Sequence, residues 1–147
     1  MTYTFSEKGP AVSAAALATT EQLWGRTLPA DYREFIELQN GGYVTPDTVA
    51  VPGADFRRAD VALLFGIGRL SKTSNLDWRF ELVQERLPDA VLYPFAADSG
   101  GNLYCFSPAA HGLEVVYCDL HDEEGTTYRI ADGFTAFLNQ LEPLDQA

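Results

Sequence analysis

The sequence predicts an α+β fold, mainly an antiparallel sheet in meander order flanked by about four helices. Three observations predict it. Four segments repeat apolar residues at helical spacing, and five short runs rich in Val, Leu, Tyr and Phe lie between turn residues. The last four of those runs are joined by connections too short to hold a crossover helix. With 147 residues, 46% of them apolar and 12% aromatic, and no low-complexity tract, a single domain over 1–147 is expected, its core spanning about 13–141.

Taken in order, the first helix is predicted from Ser13 to Trp24, with Leu17 and Trp24 seven apart and Gly25 placed to end it. The second begins at Pro29, whose missing N–H is no loss in a first turn, and carries Tyr32, Phe35, Ile36 and Gln39 on one face until Asn40-Gly41-Gly42 stops it. A strand follows over 62–67. The third helix opens on Ser74 and Asp77 as a capping pair, places Leu76, Phe80, Val83 and Leu87 on one face, and closes at Pro88. Strands are then predicted over 91–96, 103–106, 114–118 and 126–130. Asp132 caps a final helix with Phe134, Phe137, Leu138 and Leu141 inward, ended by Pro143.

Net charge is −11 and unevenly placed. Residues 1–88 hold 11 acids and 9 bases, whereas residues 89–147 hold 10 acids and one base, Arg129. Such a field attracts basic partners and repels phosphate backbones and anionic lipid, so neither nucleic acid nor membrane is expected as a partner. The first residues lack the basic-then-apolar pattern of a signal peptide, and the longest apolar stretch, 61–67, is about a third of a membrane span. A cytoplasmic protein is expected. Cys105 and Cys118 lie in apolar strand-like runs and read as reduced, buried thiols; a disulfide would require their strands to be adjacent.

Catalytic motifs fail on inspection. Asp98-Ser99-Gly100-Gly101 resembles the surroundings of a trypsin-like nucleophile, but that triad needs a histidine upstream of the serine, and His111 and His121 both lie downstream. A nucleophile elbow would need glycine where Ala97 stands. The segment reads instead as a Gly-rich turn with Asp98 and Asn102 bonding local backbone. The run Asp119 to Thr127 is rich in carboxylates, yet a calcium loop requires glycine at position six, where Glu124 or Thr127 falls. It reads as a solvated hairpin loop, with a partner-binding loop as the rival. Arg57, Arg58, Arg69 and Lys72 make the only basic cluster, and Trp78, off the apolar face of its helix, is the tryptophan expected to be exposed.

Two segments carry a resemblance. Leu28-Pro-Ala-Asp-Tyr-Arg-Glu-Phe-Ile-Glu-Leu-Gln-Asn-Gly-Gly42 and Tyr93-Pro-Phe-Ala-Ala-Asp-Ser-Gly-Gly-Asn-Leu-Tyr104, followed by 115–119 and the closing helix 134–141, resemble the SUKH superfamily in order and over about 28–141. The resemblance implies an α+β domain, chiefly bacterial, and in many members an immunity protein that neutralises a cognate toxin, often a nuclease. It implies no enzyme activity. Residues 1–27 and 43–60 match nothing in that pattern and are candidates for setting partner specificity. The expected partner is a cognate, basic toxin domain, held by Asp98, Glu114, Asp119, Asp122, Glu123 and Glu124 together with Trp78. No catalytic residue, metal ligand or cofactor is assigned. An intracellular scaffold that recruits an endogenous partner is the alternative.

Overall fold

The computed structural model describes residues 3–144. Strand β1 (Thr4–Ser6) leads to α1 (Ala14–Trp24) and α2 (Ala30–Leu38), then to four short strands, β2 (Tyr43–Thr45), β3 (Thr48–Ala50), β4 (Arg58–Asp60) and β5 (Leu63–Leu64). After a 3-10 turn at Lys72–Ser74 come α3 (Leu76–Arg86), β6 (Tyr93–Ala97), β7 (Leu103–Ala109), β8 (Gly112–Cys118), β9 (Thr127–Ala131) and α4 (Phe134–Asn139). Strands β5 to β9 form one antiparallel sheet in chain order, so the meander is as expected, with α3 inserted between its first two strands. Strand β1 pairs β2, and β3 pairs β4.

Along β7, Leu103, Tyr104, Cys105 and Phe106 are all fully buried, so both faces of the central sheet are covered. On one face an aromatic cluster joins strands to helices. Tyr32 of α2 meets Phe106 edge-on at 4.9 Å and Phe134 of α4 at 5.0 Å, while Phe137 lies 5.4 Å from Phe95 and 5.3 Å from Tyr104. Edge-on pairs add about 0.5–1.5 kcal/mol each to the burial itself. Helix α3 packs on β6 with Phe80 stacked on Tyr93, and its end reaches the β8–β9 connection, where Arg86 donates to the Leu120 carbonyl.

The α1 limits follow from its caps: Ser13 accepts the Ala16 N–H, and Gly25 takes the left-handed conformation, φ 75°. Pro29 sits at the N-cap of α2, one position before the helix that it was expected to open. Three expectations are corrected. Ser74 lies in the 3-10 turn, not at a cap, and Asp77 accepts its neighbour Trp78 N–H; the N-cap is Asn75, whose amide is occupied by Arg69 and Ser71. Asp132 does not cap α4, because its carboxylate pairs with Arg129 and Gly133 holds the N-cap position; the Thr135 N–H is taken by Asp31 of α2 at 2.9 Å. Gln39, Leu87 and Leu141 lie just past the helices to which they were assigned.

The strand limits also move. Of the run 62–67 only Leu63 and Leu64 form a strand of the sheet, and β7 and β8 extend to a two-residue turn where a longer Ser107–Gly112 connection was expected. Strands β1 to β4 were not foreseen.

Asn40 ties the N-terminal half together. It is 1% exposed at φ 56°; its side chain donates to the carbonyls of Pro10 (3.0 Å) and Ile67 (2.8 Å) and accepts the Ile67 N–H (2.7 Å). Arg69 donates to its carbonyl. Gly66 faces it so closely that a Cβ there would fall 2.4 Å from that oxygen.

Candidate functional site

Two loops at one end of the meander are joined by a single side chain. Asn102, after the β6–β7 turn, accepts the Leu120 N–H at 2.9 Å through Oδ1 and donates through Nδ2 to the Tyr117 hydroxyl, also 2.9 Å. A backbone N–H only donates, so the amide orientation is fixed, and Nδ1 of His121, 2.9 Å from the same Oδ1, must carry its proton. Tyr117 in turn donates to Asp98 Oδ2. Burial first, and then Asp98, push the Tyr117 phenol up, so it remains a donor across the physiological range.

The predicted carboxylates divide by what they already hold. Asp98 accepts the N–H groups of Gly100 (3.0 Å) and Asn102 (2.8 Å), an Asx-type turn that closes the hairpin. Its predicted local role stands. Asn102 was expected to do the same, but its side chain reaches β8 and the β8–β9 loop instead. Asp119 accepts the His121 N–H at 2.9 Å. Asp122 accepts the Glu124 N–H at 3.0 Å and the Thr126 hydroxyl, and these bonds, the hydroxyl first, hold its carboxyl below the usual range. Gly125, at φ 64°, completes the turn where a Cβ would strike Leu87 at 2.5 Å. Glu123 and Glu124 stand exposed at the tip, with no ion pair among the described residues.

Glu114 is separate from this loop. It pairs with Arg129 Nε at 3.0 Å on the neighbouring strand, and Arg129 also contacts Asp132, so the lone base of the C-terminal part is held by two acids. A half-exposed pair of this kind contributes about 0.2–1 kcal/mol. Trp78 is half-buried, with the Arg79 guanidinium 5.3 Å from its ring. Thus Asp98 joins the Asn102 network through Tyr117 and Asp119 joins it through His121, Asp122 braces its own turn beside them, Glu123 and Glu124 project from that turn, and neither Glu114 nor Trp78 takes part.

Sequence reading missed Tyr117 and the long-range role of Asn102, whose bonds span 15 to 19 residues. It also missed Phe56, 45% exposed over Tyr117 at 5.3 Å, which sits in the 43–60 stretch. Ser99 donates its hydroxyl to Asp60; His121 faces Asn102, and His111 lies 2.9 Å from the Asp132 carbonyl. No imidazole therefore meets Ser99. Among the described residues no three His, Cys, Asp or Glu side chains converge as a metal site, and no helix is long and apolar enough to cross a membrane.

Against known families, the chain matches the one described as SMI1 / KNR4 family (SUKH-1) over residues 11–140. No curated protein matches it at a significant level.

Proposed function

The chain belongs to the SMI1 / KNR4 family (SUKH-1), whose domains are immunity-type, protein-interacting and generally non-catalytic, and on that premise we propose that it binds and neutralises a cognate toxin domain in the bacterial cytoplasm. The partner surface is basic. The observation that carries this reading is the β8–β9 loop, where Asp122 and the Asn102 network fix the backbone while Glu123 and Glu124 are left free at the tip. A loop already ordered before binding loses little conformational entropy when it docks. Its charge, set in a segment of nine excess negative charges, steers a cationic domain and repels nucleic acid.

The test is co-expression with a panel of basic bacterial toxin domains. Rescue of growth and a stable complex are expected, together with a loss of at least tenfold in affinity for the variant Glu123→Lys/Glu124→Lys and a shallower salt dependence. Asp122 is left intact because reversing it would break the turn. Rescue undiminished by the double variant would remove the loop from the interface. No rescue and no complex would overturn the immunity reading.

A further inference from the structure

A second surface, away from the acidic loop, has the makings of a docking site. Between β1, α2 and α4 lies an open groove of about 310 Å³, at the small end of the range for ligand clefts. Its floor is apolar. Phe5 lies 5.0 Å from Phe35, Phe35 lies 5.2 Å from Phe134, and Leu138 completes the surface. On the lip Leu38 is 64% exposed, although the apolar side chains of Phe5, Phe35, Phe134 and Leu138 line the same groove.

The lip is also electronegative. Two carboxylates, Asp31 and Glu34, line the groove, and among the described residues no lysine or arginine does. Asp31 is occupied, since it accepts the N–H of Tyr32 and both the N–H and the hydroxyl of Thr135. Glu34 is exposed and makes no hydrogen bond or ion pair among the described residues. The C-terminal end of α2, at Leu38 and Gln39, adds the negative end of a helix dipole at the same place.

We infer that this groove docks a cationic, apolar-anchored segment of the partner protein. An aliphatic or aromatic side chain enters between Phe5, Phe35 and Leu138, and a Lys or Arg about one helical turn away meets Glu34 and the last carbonyls of α2. The inference rests on the reading of the chain as a binder of a basic protein, but it uses no residue of the β8–β9 loop. A free phosphate or an acidic peptide is excluded as occupant by the same charges, and a purely apolar ligand would leave Glu34 unanswered.

The probe is a synthetic amphipathic peptide of alternating Leu-Leu and Lys-Lys pairs, titrated into the isotope-labelled full chain and followed by amide chemical shifts. Shifts centred on Phe5, Leu38, Thr135 and Leu138 are expected. Leu38→Ser and Glu34→Lys, both at exposed positions, are each expected to weaken binding at least tenfold with unchanged circular dichroism, whereas Glu123→Lys/Glu124→Lys changes it less than about threefold. Replacing the lysines of the peptide by glutamates should abolish binding. Shifts centred on 119–126 with no effect of Leu38→Ser would overturn the groove while leaving the loop proposal standing, as would the absence of any shift at millimolar peptide. Equal binding of the glutamate peptide would overturn the charge argument. Conversely, groove binding without rescue of growth would sink the immunity reading alone.

Discussion

Replacing Asn40 by alanine should cost about 4 kcal/mol of folding stability. The substitution removes three hydrogen bonds, two donated to Pro10 and Ile67 and one accepted from Ile67, at a residue only 1% exposed. Each contributes about 0.5–1.5 kcal/mol net, and the groups left behind are penalised further where water cannot reach them. Alanine must also hold φ 56°, which adds about 1 kcal/mol relative to glycine at the same place. Asn40→Gly therefore separates the two contributions: it should lose the bonds and escape the backbone strain, falling about 1 kcal/mol short of the alanine effect. Urea unfolding followed by tryptophan fluorescence measures both, with the midpoint expected to drop at unchanged slope. A loss below about 1.5 kcal/mol for Asn40→Ala would refute the view of this residue as the tie between the N-terminal segment and the segment that follows β5. Equal losses for alanine and glycine would refute the strain component.

Gly66→Ala should be similarly damaging, at least about 2 kcal/mol, because its Cβ would fall 2.4 Å from the Asn40 carbonyl oxygen and 2.6 Å from its Oδ1; thermal unfolding would check this. The two thiols should be inert in the native protein. Burial drives Cys105 well above its ordinary value and, aided by Asp119, pushes Cys118 up to about 11, so at pH 8 a disulfide reagent should titrate neither until denaturant is added. For Asp122 the shift is downward. The contribution of its carboxylate to loop order is therefore present above the ordinary value of 3.8 and lost as pH falls through the lower folded one. The Glu124 and Thr126 amide resonances should titrate with a midpoint below 3.8, moving back toward it in Thr126→Val.

Helices α1 to α3 were legible because amphipathic spacing over nine or more residues is a strong signal, and Ser13 and Gly25 mark α1 through chemistry that is local to its ends. Where a competing partner lies outside the segment, local reading fails. Asp132 has the right type and place for a cap, but Arg129 holds it, and the free Thr135 N–H is satisfied from 104 residues away by Asp31. Strands β1 to β4, of three residues each, are too short to display alternation at all. The acidic loop was visible as composition, but its division of labour was not. Asp98, Asp119 and Asp122 bond their own turns and Glu123 and Glu124 do not, and the difference arises from backbone geometry that a run of like charges does not encode.

That division has an evolutionary consequence. Because the turn is fixed by Asp122, Thr126, Gly125 and the Asn102 link, positions 123 and 124 bear almost none of the mechanical load of the fold. They can change identity with little penalty in folding, in the way that fingertips can wear different gloves on one hand. Substitution at two codons can therefore reset the charge and shape of the tip while the bonds of the scaffold beneath it stay as they are.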